Sequence, residues 1–142
     1  MRALIDTCII IDLLQKREPF FDDAHLTFLS AANNRFEGAI TAKSVTHIYY
    51  LMHRFFHDDV PTRKALDTLF KLFTVLDTTG LDCKKALLSP VTDYEDALMI
   101  ETAVNSGMDA IITRNIKDYS KSPIPVYAPA NFLAALEVPE LE

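Results

Sequence analysis

Arg2-Ala3-Leu4-Ile5-Asp6 begins with an apolar run that stops on an acid, and Thr7-Cys8 follows at once. A short apolar run bounded by a polar break reads as a buried strand. Asp109-Ala110-Ile111-Ile112-Thr113 repeats the form late in the chain. Phe36–Ile40, Phe73–Leu76 and Ile124–Tyr127 read as further short strands, the last kept near a sheet edge by Pro123 and Pro125. The segments between them carry a helical period instead. Ile9–Gln15, Asp22–Asn33, Thr41–His57, Thr62–Phe73, Asp82–Leu88 and Asp93–Ser106 read as helices, with Gly107 as a C-terminal cap and a last helical turn at Asn131–Leu136. Short apolar strands alternating with helices predict an α/β fold whose mostly parallel sheet is covered on both faces.

The composition agrees with one such domain. The chain has 142 residues, 49% hydrophobic and 24% charged, which is ordinary globular usage. No linker, repeat or low-complexity tract interrupts it, so residues 1–136 are read as a single domain and 137–142 as a frayed tail. Only three Gly occur, which argues against a Gly-rich nucleotide cradle. The two cysteines, Cys8 and Cys83, make no zinc spacing and suit reduced thiols in a cytoplasmic protein. A net charge of −6 differs from that of a basic nucleic-acid module. No apolar run reaches the roughly 20 residues that span a bilayer, and a strand rather than a signal peptide is read at the start, so no membrane partner is expected.

In open α/β sheets ligands bind outside the carboxyl ends of the strands. Asp6 ends the first strand, Asn115 and Asp118 follow the strand at Asp109–Thr113, and Asp93, Glu95 and Asp96 open the helix leading into it. In a parallel sheet these groups converge on one edge. Hard divalent cations take oxygen from one or two carboxylates plus substrate phosphates, and acids are what these strand ends supply. The helix-start acids have a simpler reading as caps of free N–H groups. Asp6 does not, because a carboxylate directly after a buried strand needs a partner. Asp12, set among apolar residues, is read as a structural hydrogen-bonding group.

Three stretches in register, Leu4-Ile5-Asp6-Thr7-Cys8, Asp93-Tyr94-Glu95-Asp96-Ala97-Leu98 and Ile112-Thr113-Arg114-Asn115-Ile116-Lys117-Asp118-Tyr119, resemble the PIN domain, most closely its VapC-like toxin branch. The resemblance runs from Arg2 to about Leu136. It implies a three-layer α/β/α sandwich and a ribonuclease dependent on Mg²⁺ or Mn²⁺, with RNA as substrate and an antitoxin protein as a partner. It assigns Asp6, Asp96 and Asp118 as catalytic acids and the same three with Asn115 as metal ligands. Thr113 matches the threonine before the last site position, and Thr7, His47 and Arg114 join it on the substrate side.

The chain departs from the family pattern at two positions. The central helix, where the family carries a metal-site Glu, reads Ser44-Val45-Thr46-His47-Ile48-Tyr49-Tyr50, which puts His47 in that place. An imidazole suits Mn²⁺ better than Mg²⁺. Asn115 stands where many members carry Asp. These departures leave a second reading: a PIN domain that binds RNA or protein without catalysis. A dehalogenase-type phosphatase and a receiver domain are set aside because their acid spacings are absent, and no His is placed to activate Cys8 as a nucleophile.

Among the cations, Arg114 and Lys117 flank the last acidic motif and suit phosphate contacts. His53 and His57 read as solvated, and Tyr49, Tyr50, Phe55 and Phe56 as core or dimer interface. Phe20, Phe21, Phe28, Phe70 and Phe73 exceed what one sheet face buries, which predicts a homodimer.

Overall fold

The computed structural model describes residues 1–137 of the chain. Five strands, β1 (Arg2–Ile5), β2 (Glu37–Thr41), β3 (Thr74–Leu76), β4 (Ala110–Ile112) and β5 (Val126–Tyr127), form one sheet in the order β3-β2-β1-β4-β5. Every adjacent pair is parallel, in register Leu4↔Ala39 on one side of β1 and Leu4↔Ile111 on the other. The chain moves outward from β1 through β2 to β3, then returns to the opposite side of β1 as β4 and β5. The reversal lies between β1 and β4, and the strand ends there form the crevice in which such sheets bind ligands.

The helices are α1 (Thr7–Leu14), α2 (Phe21–Ala32), α3 (Ala42–Phe56), α4 (Asp59–Leu72), α5 (Gly80–Leu87), α6 (Tyr94–Asn105) and α7 (Pro129–Glu137). Successive strand side chains point to opposite faces. Ala3 and Ile5 therefore join Ile9, Phe28, Ile48, Leu69 and Phe132 in one core. Leu4 joins Met99, Ile100, Ala103 and Tyr119 in the other. Helices α1, α2, α3, α4 and α7 cover the first face, and α6, with α5 packed on it, covers the second. The expected three-layer α/β/α sandwich is what the chain forms.

Close packing explains two glycines. A Cβ on Gly38 would come within 2.6 Å of the Phe73 ring, so β2 and the start of β3 can approach only at Gly. Gly107, at φ +71°, ends α6 in the left-handed region, as the sequence predicts.

Several boundaries move. Asp6 leaves the strand and becomes the N-cap of α1, its carboxylate accepting from Thr7 N–H at 2.8 Å. That helix starts earlier than the sequence suggests because an Asp cap needs only one following turn. Likewise α4 starts at Asp59, capped by Asp58. A 3-10 turn at Ile116–Tyr119 lies where the sequence gives only a loop. Glu137 ends α7 and is not tail; residues 138–142, the rest of the expected tail, lie outside the described residues. Phe28 and Phe73 are not surplus apolar surface: they are 6% and 3% exposed and meet edge to face at 4.9 Å. Phe20 and Phe70 are exposed as expected, and further exposed apolar side chains include Tyr50 and Phe55 on α3 and Val60 on α4.

Candidate active site

Asp6 stands at the carboxyl end of β1 beside the chain reversal. Its backbone N–H donates to Ile112 O at 2.9 Å, which ties it to the end of β4. One carboxylate oxygen accepts the Thr7 N–H; the other accepts the Thr113 hydroxyl at 2.7 Å and faces the Cys8 thiol at 3.5 Å. Thr113 is fully buried, and its hydroxyl oxygen accepts the Asn115 N–H at 3.0 Å. A single side chain thus orients the acid and shapes the loop that follows β4. The Cys8 thiol is pushed up to about 11 by burial and by the Asp6 charge. It stays protonated near neutrality, which rules it out as a thiolate nucleophile.

Asp96 lies in the first turn of α6, and the Asp93 carboxylate caps that turn by accepting its N–H at 3.0 Å. Asp93 is therefore the cap, while Asp96 turns inward. Asp6 and Asp96 line one cavity of about 80 Å³ with Thr7, Lys43, His47 and Tyr119. The Asp96 carboxyl is pushed up to about 6 by burial and by the like charges of Asp93, Asp6 and Asp118. The Tyr119 hydroxyl is buried beside these acids with no partner of good hydrogen-bond geometry. Burial and the charges of Asp6 and Asp96 push its ionisation upward, so it stays protonated, with the Asp96 carboxylate as its neighbouring acceptor.

Crowded carboxylates next to an unsatisfied hydroxyl fit a hard divalent cation and its phosphate ligand in donor chemistry. The fit has a limit. Among the described residues, no three Asp, Glu, His or Cys side chains close on a common point. Of the four residues expected to converge, Asp6 and Asp96 share one cavity, and Asp118 and Asn115 line the cavities beside it. Asp118 sits on the exposed 3-10 turn and lines the neighbouring cavity of about 310 Å³, which it shares with Asp96, Lys117 and Lys121. Its charge reaches Asp96, and it does not line the cavity that holds Asp6. Asn115 is exposed on the rim beside Arg114 and Lys117.

His47 faces the cavity of Asp6 and Asp96, so the helix position assigned to the family's Glu does look onto the two acids. Arg114 points elsewhere. Its guanidinium forms a two-pronged bond to Asp12, Nε at 2.6 Å and Nη2 at 3.1 Å, and stacks 3.8 Å above the Phe20 ring. Asp12 is fully buried, and its reading as a structural hydrogen-bonding group holds. Arg114 as a substrate contact is corrected, because a buried carboxylate retains its counter-ion.

Sequence reading misses Lys43, whose ammonium pairs with Glu95 over the cavity. A signal existed: Lys43 and His47 are four apart on α3 and share a face. It also misses Tyr119, whose placement depends on the unforeseen 3-10 turn.

A family model described as the PIN domain matches residues 2–117. No curated protein matches the chain. Among solved structures, a toxin–antitoxin complex from Klebsiella pneumoniae is similar at 25% identity and TM-score 0.66, covering 89% of this chain and 97% of that one. VapBC2 from Rickettsia felis, bound to a promoter DNA fragment, is similar at 15% identity and TM-score 0.63, over 90% and 98%. DNA-bound VapBC from Salmonella typhimurium is similar at 16% and 0.64, over 91% and 98%.

Proposed function

The chain belongs to the PIN domain family, whose members are typically nucleases, and from that premise we propose that it is a metal-dependent endoribonuclease of the toxin type. The observation that carries the reading is the meeting of Asp6, from the end of β1, with Asp96, from the start of α6, in one cavity at the chain reversal. Mg²⁺ or Mn²⁺ is the proposed cofactor, held by Asp6 and Asp96, with Asn115 and Asp118 on the adjoining loop as the further candidate ligands. When bound, such an ion activates water and stabilises charge at phosphorus.

The chain's own residues prepare that chemistry. Thr113 and the Thr7 N–H hold Asp6 in one orientation, so no reorganisation is needed when substrate arrives. Tyr119 offers its hydroxyl to a phosphate oxygen, and Lys43, paired with Glu95, and His47 line the same cavity. The α6 and α3 helices close the sides of the cavity. The test is cleavage of a mixed single-stranded RNA pool with Mg²⁺, Mn²⁺ or chelator. Metal-dependent cleavage abolished by Asp6→Asn supports the reading, and cleavage surviving both chelator and Asp6→Asn overturns it.

A second reading, a PIN domain that binds RNA or protein without catalysis, is favoured by one observation: no third ionisable ligand joins Asp6 and Asp96 among the described residues. RNA retention on a filter with no cleavage in any metal would select it. The 25% identity to the Klebsiella pneumoniae toxin–antitoxin complex supports an antitoxin protein as partner. Homodimer formation is proposed through the exposed side chains of α3 and α4, where Tyr50, Phe55 and Val60 lie at 58%, 51% and 74% exposure. Light scattering at tens of micromolar should give twice the chain mass.

A further inference from the structure

Asp96 is shared by two cavities, and each carries cations on its far side. The inner one, about 80 Å³, is the smaller and is lined by Lys43, His47 and Glu95 beside Asp6. The outer one, about 310 Å³, opens to solvent between the loop before α6 and the 3-10 turn, and it holds Lys117, Lys121, Thr92 and Ser120. The Lys121 ammonium donates to Pro90 O at 3.1 Å, which fixes it at the rim and leaves two N–H groups for another acceptor. Among the described residues Lys117 and Lys121 make no ion pair, whereas Arg2, Arg63, Lys71 and Arg114 are each committed to an acid elsewhere, and Lys43 is paired with Glu95 at the inner cavity with two N–H groups left for another acceptor.

We infer that a single-stranded nucleic-acid backbone lies across Asp96 through both cavities, with phosphates on one side held by Lys43 and on the other by Lys117 and Lys121. This deepens the nuclease reading and rests on it: the site takes an internal segment of a chain rather than a free end. A mononucleotide reaches the cations of one side only. In a molecule of net charge −6, local cations of this kind must supply the attraction for phosphate.

The test measures binding without cleavage. Full-length protein in chelator is titrated against a fluorescein-labelled single-stranded RNA dodecamer and a trimer, across a salt series. Lys117→Ala with Lys121→Ala should weaken dodecamer binding about tenfold and lower the salt slope by roughly 1.4, two contacts at about 0.7 each. Lys43→Ala should lower the slope by about 0.7. The trimer should respond to only one of the two sets, and Lys84→Ala with Lys85→Ala on α5 should change nothing. Lys117→Arg with Lys121→Arg should keep affinity, which separates charge from folding. An unchanged dodecamer affinity in the Ala pair, an equal loss in the α5 pair, or no binding of RNA at all overturns the track. Metal-dependent cleavage with silent lysines would leave the nuclease reading standing and refute the track. Lysine-dependent binding without cleavage would do the reverse.

Discussion

The Thr113 hydroxyl donates to Asp6 Oδ2 at 2.7 Å and accepts the Asn115 N–H at 3.0 Å, so one buried oxygen joins the ends of β1 and β4. The parallel β1–β4 register, Ile5 opposite Ile112, sets Asp6 and Thr113 side by side at the strand ends. The fold thereby places an acid and its orienting donor before any ligand arrives. Removing the donor tests whether orientation matters.

Thr113→Val keeps the shape, leaves the Asn115 N–H without its acceptor and frees Asp6 to rotate. Stability should fall by about 1–3 kcal/mol in urea unfolding, the cost of an unmade buried hydrogen bond. RNA cleavage should fall roughly 10–100-fold, as is usual when a ligand loses its outer-shell partner. Thr113→Ser should recover most of both. Full activity in the Val variant would show that Asp6 needs no such support.

The strand ends were legible because a short apolar run that stops on an acid is the local pattern of a buried strand emerging at a sheet edge, and Asp6 falls where that pattern puts it; Asp96, in the first turn of a helix, was singled out only by the family resemblance. Positions decided by distant pairing were not. Arg114 meets Asp12 across 102 residues of sequence, and nothing local distinguishes that fork from a solvent-facing phosphate contact. Phe28 and Phe73 look like surplus apolar surface until the packing of α2 against β3 brings their rings together. The placement of Asp118 has the same origin, because it rides on a 3-10 turn that the sequence gives only as a loop.

Arg114→Ala leaves the buried Asp12 carboxylate with only Arg17, at 3.9 Å, for compensation. Breaking a buried pair from one side costs roughly 3–5 kcal/mol, and partial exposure of Arg114 puts the loss toward the lower end. Thermal unfolding should show it as a large drop in Tm. RNA affinity per folded molecule, measured well below the new Tm, should stay within twofold of the native value. A large affinity loss with unchanged Tm would restore Arg114 as a substrate contact.

Asp96 is raised from the ordinary carboxylate value to about 6 in the folded chain. A raised folded value favours the folded state below the unfolded pKa near 4, and that advantage is lost as pH rises through 6. In metal-free protein, Asp96→Asn should therefore raise Tm at pH 7.5 and converge with native near pH 4. Added Mg²⁺ should stabilise the native chain at pH 7.5 and leave Asp96→Asn unmoved. Equal Tm values for the two proteins at pH 7.5 would show that the acids do not crowd one another.

The last prediction follows from His47. It faces the cavity of Asp6 and Asp96 from α3, one helical turn beyond Lys43, so a carboxylate there would look onto the same space. A hard cation prefers oxygen to imidazole, while Mn²⁺ tolerates nitrogen. The native chain should cleave RNA faster in Mn²⁺ than in Mg²⁺, and His47→Glu should raise the Mg²⁺ rate and narrow the difference. The same substitution adds another carboxylate to a cavity already lined by Asp6, Glu95 and Asp96, so the metal-free variant should melt below the native protein and regain the loss when Mg²⁺ is added. His47→Gln separates the two effects: it supplies an oxygen without charge, and should leave metal-free stability near native while improving the Mg²⁺ rate less than Glu does. A His47→Glu protein with neither a higher Mg²⁺ rate nor metal-restored stability would show that position 47 lies outside the cation's reach, and the cavity's third wall would then serve the phosphate alone.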